Sequence, residues 1–377
     1  MKILLIGEYY STNLGDPLLC RVVENIIKKE HPNAELVPVD MSGKTDYSSF
    51  YSPSVYSARQ RWYFRLSHRL PWICKQFPLL RVYSADPERH MRVISMLDEL
   101  LVKNSFDLAV FAGGSLFMDY FAGVIGDIVT ALAKKNVPVI FHACGMSQLT
   151  SDTRKILYRA IHRPNVKWIS LRDSYDLFVN QFSPQCPVVE TYDTALLTSH
   201  FYRQGAAKQF DYGIGLISIS KYTPFQKELL KWARNSGKTW RVFTNGSCAD
   251  YLFAQSLLEE LNIPSEYLAA RPQTPQELVA MISSFRQVLS FRMHSQIVAS
   301  SLGIPSFGFA WDPKITRFYC KLGFPNNCSS LDTPLPSNDS FGFDSSASNE
   351  LYSIAMQQGE LSRTCLLEGI AYALKDK

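Results

Sequence analysis

The feature that most restricts the fold is an alternation, along almost the whole chain, of short apolar segments with amphipathic segments of helical period. The apolar segments of the first half predict strands, which lie at 2–7, 35–39, 108–112, 137–143, 168–171 and 188–192. The pattern restarts in the second half, with predicted strands at 212–218, 240–244, 287–291 and 304–309. Because strands that alternate with helices form parallel sheets, we predict an α/β protein with two Rossmann-like domains whose parallel sheets face a cleft.

The length of the chain, 377 residues, also fits two domains. The alternation breaks at 199–210, so we expect an N-terminal α/β domain over 1–205 and a C-terminal α/β domain over 206–345. The remaining residues, 346–377, are expected to form a helix that packs back on the N-terminal domain. Residues 326–348 are rich in Ser, Asn, Asp and Pro, which is typical of a loop.

Local signals predict several helix ends. Asp16-Pro17, after the first strand, predicts a helix whose N-cap is Asp16 and whose first residue is Pro17. Thr274 and Glu277 have the spacing of a capping box, which starts another helix. Gly303 follows a short amphipathic segment and is expected to be its C-cap.

Composition excludes several classes of protein. Apolar residues make up 46% and charged residues 19% of the chain, which is ordinary for a globular protein and excludes a disordered or fibrous one. The net charge of +5 is too small to indicate a dedicated nucleic-acid binder. Eight scattered cysteines without a CxxC pair favour reduced thiols over a disulfide scaffold or a zinc site.

The apolar segments do not have the pattern of a signal peptide or a membrane span. The N-terminal run at 3–6 is too short for a signal peptide. The longer run at 108–133 is interrupted by two glycines, Asp119 and Asp127, which favours a buried strand, a turn and a buried helix over a transmembrane helix. We therefore expect a cytoplasmic protein.

A basic aromatic stretch lies between Asp46 and Asp86, where the sequence has no acidic residue. Its cations are Arg59, Arg61, Arg65, Arg69, Lys75 and Arg81, and Trp62, Tyr63, Phe64, Trp72 and Phe77 lie among them. This density suits peripheral contact of residues 59–81 with anionic lipid at the inner face of a membrane. A surface excursion whose aromatic side chains pack on the core explains the same pattern, so both interpretations stay open. No RNA-binding signature accompanies the stretch, and no nucleic-acid partner is expected.

The strongest local signal for function is the segment 291–295 (Phe-Arg-Met-His-Ser), between the strand at 287–291 and a helix predicted at 295–302. Backbone amides at a helix N-terminus favour an anion. Arg292 adds a planar fork that suits a carboxylate or a phosphate, and His294 can exchange a proton near neutral pH. An anion-binding acid/base site is one interpretation. A solvated arginine and a histidine that caps the helix is the other.

Four further motifs follow predicted strands of the N-terminal domain. They are Asn13-Leu14-Gly15-Asp16, Gly113-Gly114-Ser115, Arg172-Asp173 and Asp193. Each also has a local explanation, namely helix capping, close packing of strand and helix, or a turn. Ligands of parallel sheets bind beyond the carboxyl ends of the strands, so these motifs and the 291–295 segment are expected to line one cleft. The seven histidines form no convincing metal cluster in the sequence.

Taken in order, these motifs resemble the polysaccharide pyruvyl transferase family. The matching segments are Asn13-Leu14-Gly15-Asp16, Gly113-Gly114-Ser115, Arg172-Asp173-Ser174, Tyr192-Asp193-Thr194-Ala195 and Ser290-Phe291-Arg292-Met293-His294-Ser295, with the residues from Ala299 to Phe309 after them. The resemblance covers residues 1 to about 325. Thr194 departs from the family pattern, in which proline follows the aspartate. The stretch 59–81 matches no motif of the family.

The resemblance implies a fold like that of glycosyltransferase-B enzymes and an enzyme that uses phosphoenolpyruvate as donor. The acceptor would be a pair of hydroxyls on a sugar of an exopolysaccharide or capsule precursor, of which a lipid-linked oligosaccharide is one form. Transfer forms a pyruvate ketal and releases phosphate. Phosphoenolpyruvate is then a co-substrate, and neither a cofactor nor a metal is expected.

The resemblance also assigns candidate residues to roles. The expected donor-binding residues are Arg172, Arg292, Met293, His294, Ser295, Gly113, Gly114 and Ser115. His294 is the candidate acid/base group, Asp16 or Asp193 would activate the acceptor hydroxyl, and Asn13 and Asp16 would bind the acceptor. A nucleotide-sugar glycosyltransferase of the same architecture is the alternative enzyme. A membrane-associated subunit without catalytic activity is a third interpretation.

Overall fold

The computed structural model describes residues 1–47, 89–202, 207–336, 341 and 345–375, without the side chains of 345–348. The basic aromatic stretch 59–81 lies outside the described residues, so both interpretations of it stay predictions.

The N-terminal domain is built on a six-stranded parallel sheet. Its strands are β1 (Lys2–Gly7), β2 (Glu35–Asp40), β3 (Leu108–Phe117), β4 (Val139–Met146), β5 (Val166–Leu171) and β6 (Val188–Glu190), in the order β2-β1-β3-β4-β5-β6. All residues of β4, and all but Ser115 of β3, are buried. Such unbroken burial arises because helices cover both faces of a parallel sheet.

Six helices connect or follow these strands. They are α1 (Gly15–Glu30), α2 (Arg89–Lys103), α3 (Asp119–Lys134), α4 (Ser151–Ile161), α5 (Tyr175–Phe182) and α6 (Thr198–Phe201), and a 3₁₀ helix covers Thr194–Leu197. The apolar run at 108–133 is therefore a buried strand and a helix, as predicted. Within the described part of the chain, no helix is long and apolar enough to cross a membrane.

The C-terminal domain has a five-stranded parallel sheet. Its strands are β7 (Phe210–Gly215), β8 (Trp240–Phe243), β9 (Phe285–Ser290), β10 (Ser306–Phe309) and β11 (Cys328–Ser329), in the order β11-β10-β9-β7-β8. Its helices are α7 (Thr223–Asn235), α8 (Cys248–Glu260), α9 (Pro275–Ser283), α10 (Met293–Ser301) and α11 (Pro313–Leu322), with 3₁₀ turns at Ser220–Tyr222, Ser265–Tyr267 and Pro325–Asn327. The prediction of two domains with parallel sheets is confirmed.

The last helix, α12 (Ser345–Leu374), lies against the N-terminal domain. Ser362 Oγ donates a hydrogen bond to the carbonyl of Tyr192 (2.9 Å) and lies 3.0 Å from Thr194 Oγ1. Thr194 Oγ1 is also 2.8 Å from His142 Nε2 of β4. A Cβ atom on Gly359 would approach Leu197 Cδ2 to 2.7 Å, so only glycine allows the helix to pack this closely.

The two domains share one continuous hydrophobic core. It contains Leu18 and Val22 of α1 together with Ile297 and Val298 of α10. A backbone hydrogen bond also crosses between the domains, because the amide of Leu14 donates to the carbonyl of Asn245 (2.8 Å). The N-termini of α1 and α10 are thereby held against each other at the cleft.

Some local predictions are wrong in ways that concern this cleft. The helix α1 begins at Gly15 and its N-cap is Leu14, so Asp16 is not the cap; its carboxylate accepts a hydrogen bond from Asn13 Nδ2 (2.7 Å) instead. The helix α10 begins at Met293 rather than at 295, so His294 lies in its first turn.

Two other segments also differ from the sequence prediction. The strand β3 continues through Gly113-Gly114-Ser115, where the sequence predicts a turn. Both glycines adopt positive φ (68° and 84°), and the register with β4 shifts after Gly114. Within the loop predicted at 326–348, residues 328–329 add an edge strand and a helix begins at 345. The helix start predicted at Thr274 is confirmed, since Thr274 Oγ1 accepts from the amide of Glu277 (3.2 Å). Glu277 Oε2 accepts from the amide of Gln273 (2.9 Å) rather than from that of Thr274, so the capping box is only half formed.

Candidate active site

The carboxyl ends of both sheets meet at one cleft between the domains. His294, in the first turn of α10, packs directly on Gly15 at the start of α1. A Cβ atom on Gly15 would overlap the Cβ and ring of His294, so glycine is required there by the position of the histidine. The first turns of both helices leave backbone amides without intrahelical partners, which makes this part of the cleft favourable for an anion.

His294 is a buried, neutral imidazole. Its Nδ1 lies 3.8 Å from Asp16 Oδ1, and its Nε2 is buried without a hydrogen-bond partner among the described residues. Burial is the main cause that lowers the pKa of His294 to about 3, and the charge of Arg172 adds to it against the opposite effect of Asp193. Its unpartnered nitrogen is therefore left to form a hydrogen bond with a ligand.

Asp16 is the carboxyl group next to His294. Burial raises the pKa of Asp16, and the charges of Arg172, Lys314 and Arg292 oppose that rise. A Cβ atom on Gly114 would lie 3.8 Å from Asp16 Oδ1, so the glycine backbone borders the same space. Asp16 consequently holds a proton more readily than an ordinary aspartate does.

The neighbouring glycine, Gly113, has a different role. A Cβ atom there would approach Leu19 Cδ2 of α1 to 2.5 Å. Because Gly113 has no side chain, β3 can pack closely on α1. Gly114, in contrast, lies at the cleft.

Arg172 follows β5 and is fixed by three neighbours. It donates from Nη1 to Asp193 and from Nη2 to Ser115 Oγ (3.2 Å), and its Nε lies 3.5 Å from Asp173 Oδ2. The side chain is 4% exposed. Asp193 also accepts from the amide of Ala195 (2.9 Å) through Oδ1, so both of its oxygens are engaged. Asp193 therefore orients Arg172 as well as the start of the 3₁₀ helix.

Arg292 is held by an aspartate of its own domain. Its Nε and Nη2 donate to Asp250 Oδ2 at 2.9 and 2.5 Å, and the other oxygen of Asp250 accepts from the amide of Ser218 (2.8 Å). Asp250 is 1% exposed and Arg292 is 24% exposed, so the guanidinium reaches from a buried carboxylate towards the cleft. Ser295 Oγ donates to Asn245 Oδ1 (2.6 Å) and so connects α10 to the loop after β8.

The helix α11 supplies cations that the sequence reasoning missed. A cavity of about 400 Å³ lies between the domains, and Arg172, Met293, Lys314, Arg317 and Lys321 are among the residues that line it. The signal that could have found these cations is the position of α11 directly after β10, another strand whose carboxyl end faces the cleft.

Lys321 of α11 connects the two domains. Its Nζ donates to the carbonyls of Arg172 (3.1 Å) and Thr191 (2.5 Å) and to Glu190 Oε1 (2.8 Å). Gln358 of α12 in turn donates to the carbonyl of Lys321 (2.9 Å). One ammonium group thus fixes α11 on the strand ends that carry Arg172.

The structure brings most of the predicted site residues to one place. Asn13, Asp16, Gly114, Ser115, Arg172, Asp193, Arg292, Met293, His294 and Ser295 all lie along this cleft. Among the described residues, no group of three or more His, Cys, Asp or Glu is arranged to hold a metal ion.

The fold is similar to that of several solved structures of low sequence identity. A putative UDP-N-acetylglucosamine 2-epimerase from Listeria monocytogenes aligns with a TM-score of 0.59 and 8% identity over 100% of this chain and 97% of its own. A UDP-glucosyltransferase from Polygonum tinctorium aligns with a TM-score of 0.52 and 10% identity, over 100% of this chain and 99% of its own. The Anabaena protein HepE, solved with UDP, gives 0.50 and 12% over 100% of both chains. These likenesses show the two-domain, glycosyltransferase-B-like fold and nothing about the substrate.

Comparison of the sequence gives more specific information. No curated protein matches the chain. The family model for polysaccharide pyruvyl transferase matches residues 13–313, which include the candidate site residues described above except Lys314, Arg317 and Lys321 of α11 and Gln358 of α12. The protein therefore belongs to the polysaccharide pyruvyl transferase family.

Proposed function

We propose that the protein transfers the pyruvyl group of phosphoenolpyruvate onto two hydroxyls of one sugar in a cell-surface polysaccharide precursor. The observation that carries this proposal is the buried, unpartnered Nε2 of His294, beside Asp16 and within the field of Arg172 and Arg292. Family membership supports the transfer of a pyruvyl group to a polysaccharide. The charges and reactivity of phosphoenolpyruvate support its assignment as the donor and the ketal as the product.

The donor carries a carboxylate and a phosphate, which two guanidinium groups and a helix N-terminus suit. In this proposal Arg172 and Arg292 bind the two anionic groups from opposite domains. The backbone amide of Met293 and the Gly114–Ser115 backbone complete the donor site, whereas the amide of Ser295 donates to the carbonyl of Arg292 (3.1 Å). Asn13 and Asp16, on the other side of the imidazole, contact the acceptor sugar.

Ketal formation begins with delivery of a proton to C3 of phosphoenolpyruvate, which becomes a methyl group. One sugar hydroxyl then attacks C2, and the second displaces phosphate, so that both hydroxyl protons are released and phosphate carries away the C2–O electron pair. A bound anionic donor favours the imidazolium form of His294, which can then supply the C3 proton. Asp16 accepts a hydroxyl proton from the acceptor, whereas Asp193 keeps Arg172 in place.

Calorimetric titration with phosphoenolpyruvate, UDP and GDP tests the donor assignment. The proposal predicts binding of phosphoenolpyruvate and none of either nucleotide. It also predicts that Arg172→Lys weakens this binding at least tenfold, because lysine cannot reproduce the fork that bonds Asp193 and the ligand together. His162→Gln, at a half-buried histidine whose ring contacts the carbonyls of Tyr158 and Ser183, is the control and leaves binding unchanged. Tight binding of UDP or GDP without phosphoenolpyruvate would instead support a nucleotide-sugar glycosyltransferase.

The same proposal includes a place of action. The acceptor is a lipid-linked precursor at the inner face of the membrane, and residues 59–81 dock the cytoplasmic enzyme on anionic lipid. Neutralising Arg59, Arg61 and Arg65 together then reduces sedimentation with vesicles of phosphatidylglycerol while leaving binding of phosphoenolpyruvate intact. Unchanged sedimentation would refute the docking and leave the transferase assignment standing.

A further inference from the structure

A groove follows the carboxyl edge of the C-terminal sheet, beyond the residues assigned to the donor. Its outer part, of about 870 Å³, lies between the loop after β7, the start of α7 and the residues that follow β10 and β11. Its inner part, of about 630 Å³, lies beside the start of α11. Ala310 and Ser330 line both parts, and Arg317 lines both the inner part and the cavity between the domains. The groove therefore leads away from the candidate active site along the C-terminal domain.

Two aromatic side chains line the groove beside Arg292. Trp311 lines the inner part, and its Nε1 donates to the carbonyl of Phe291 (2.5 Å), the residue before Arg292. Tyr222 lines the outer part, and its hydroxyl donates to the carbonyl of Trp311 (3.3 Å). The two ring centres are 6.4 Å apart, and both side chains are half-buried. These hydrogen bonds fix the polar ends of both rings, so that their apolar parts can contact a ligand that extends out of the cleft.

The polar groups of the outer part favour an uncharged ligand. Lys221 and Lys227 are offset there by Glu228 and Asp332, so the charges of the lining side chains cancel. Thr223 Oγ1 is a buried hydroxyl without a hydrogen-bond partner among the described residues. A sugar ring has hydroxyl groups that donate and accept hydrogen bonds, and C–H faces that pack on aromatic rings. Aromatic rings, hydroxyls and balanced charges together fit a sugar better than they fit a phosphate, a nucleotide or a lipid chain.

We infer that this groove binds a second, uncharged sugar residue of the acceptor, next to the one that receives the pyruvyl group, and that Trp311 and Tyr222 are its aromatic contacts. The inference rests on the proposed function, because it concerns the acceptor of the same reaction. In that proposal Asn13 and Asp16 contact the reacting sugar from the N-terminal domain, and the groove extends the acceptor site onto the C-terminal domain. The protein then recognises an oligosaccharide rather than a single sugar.

The test is binding of the fluorescently labelled full-length chain to an array of immobilised glycans, from monosaccharides to tetrasaccharides of common hexoses and N-acetylhexosamines. This readout requires no donor and no turnover. Trp311→Ala removes the aromatic ring, whereas Trp311→Phe keeps one. Both variants lose the hydrogen bond to Phe291, so a difference between them is due to the ring. Tyr158→Ala, at an exposed aromatic residue of α4, is the matched control, and circular dichroism melts verify that all variants are folded.

We expect the original protein to retain at least one oligosaccharide but not the monosaccharides that compose it. Trp311→Ala should weaken this binding roughly tenfold or more, Trp311→Phe by no more than about threefold, and Tyr158→Ala not at all. Retention of no glycan, equal retention of monosaccharides, or equal binding by all variants would overturn the inference. Equal loss in both Trp311 variants would assign the effect to the bond with Phe291 and overturn the role of the ring. Calorimetric titration with phosphoenolpyruvate tests the proposed function separately, because a protein that binds no phosphoenolpyruvate refutes that function whatever the array shows.

Discussion

The ion pair between Arg292 and Asp250 allows the structural role of this arginine to be separated from donor binding. The two partners differ in exposure, since Asp250 is 1% exposed and Arg292 is 24% exposed. Removal of Arg292 leaves a carboxylate that water cannot reach. Removal of the charge of Asp250 leaves a guanidinium that remains partly solvated. The two single substitutions are therefore expected to cost different amounts of stability.

The magnitudes follow from this asymmetry. Breaking a buried ion pair from one side costs about 3–5 kcal/mol, and the partial exposure of Arg292 places Arg292→Met near the lower limit, at about 3 kcal/mol. Asp250→Asn keeps one oxygen for the amide of Ser218 but turns its NH2 group towards the guanidinium of Arg292. Because Arg292 stays partly solvated, we expect a loss of about 1–2 kcal/mol. The double variant has no uncompensated charge and should be more stable than Arg292→Met alone.

Urea denaturation followed by circular dichroism measures all three variants against the original protein, and titration with phosphoenolpyruvate measures donor binding. Asp250→Asn should still bind the donor because it retains Arg292. The double variant should be folded but should bind at least tenfold more weakly. Equal destabilisation by the two single substitutions, or normal donor binding by the double variant, would refute this account of Arg292.

Three further predictions concern residues of the cleft and the two buried histidines. Gly15→Ala should displace the His294 ring and abolish turnover while the protein stays folded, whereas Gly126→Ala on the outer helix α3 should leave the rate unchanged in the same assay. Burial holds the pKa of His294 and of His142 at about 3, below the ~6.5 of a histidine in an unfolded chain. Between these two pH values the unfolded state binds more protons than the folded state. The free energy of unfolding therefore falls as pH decreases from ~6.5 towards about 3. Each histidine contributes up to about 1.4 kcal/mol per pH unit, and His142→Gln should flatten the fall measured by urea denaturation at pH 6.5 and 5. Lys321→Gln should raise KM for phosphoenolpyruvate several-fold by loosening α11 from the backbone of Arg172, and an unchanged KM would contradict that coupling.

The sequence predicts the elements of this fold well because parallel strands are buried on both faces and so appear as unbroken apolar runs. The ends of helices and strands do not follow from the local sequence where tertiary contacts decide them. The start of α1 at Gly15 is one example, because the residue that requires glycine there is His294 of the other domain. No residue near Gly15 in the sequence carries that information, and the local pattern pointed to Asp16 as the N-cap.

Prediction of the site residues from the sequence has the same limit. Strand-end motifs correctly brought Arg172 and His294 to one cleft, because the carboxyl ends of parallel strands meet at one edge of a sheet. The partner of Arg292 could not be found in this way, since Asp250 lies 42 positions earlier and its position depends on how α8 packs. Lys314 and Lys321 were missed for a similar reason. Which face of α11 meets the N-terminal domain is decided by the packing of the two domains.

The measurement that tests the central claim most directly is a product assay. The purified protein is incubated with phosphoenolpyruvate and a panel of β-galactosides and related glycosides, and both released phosphate and the mass of each glycoside are recorded. The account predicts phosphate release together with the mass gain of one pyruvate ketal on an acceptor, and neither signal from His294→Gln. A protein that binds phosphoenolpyruvate but gives equal product with His294→Gln would contradict the role of the histidine. Transfer of a sugar from a nucleotide donor, with phosphoenolpyruvate unused, would contradict the account as a whole.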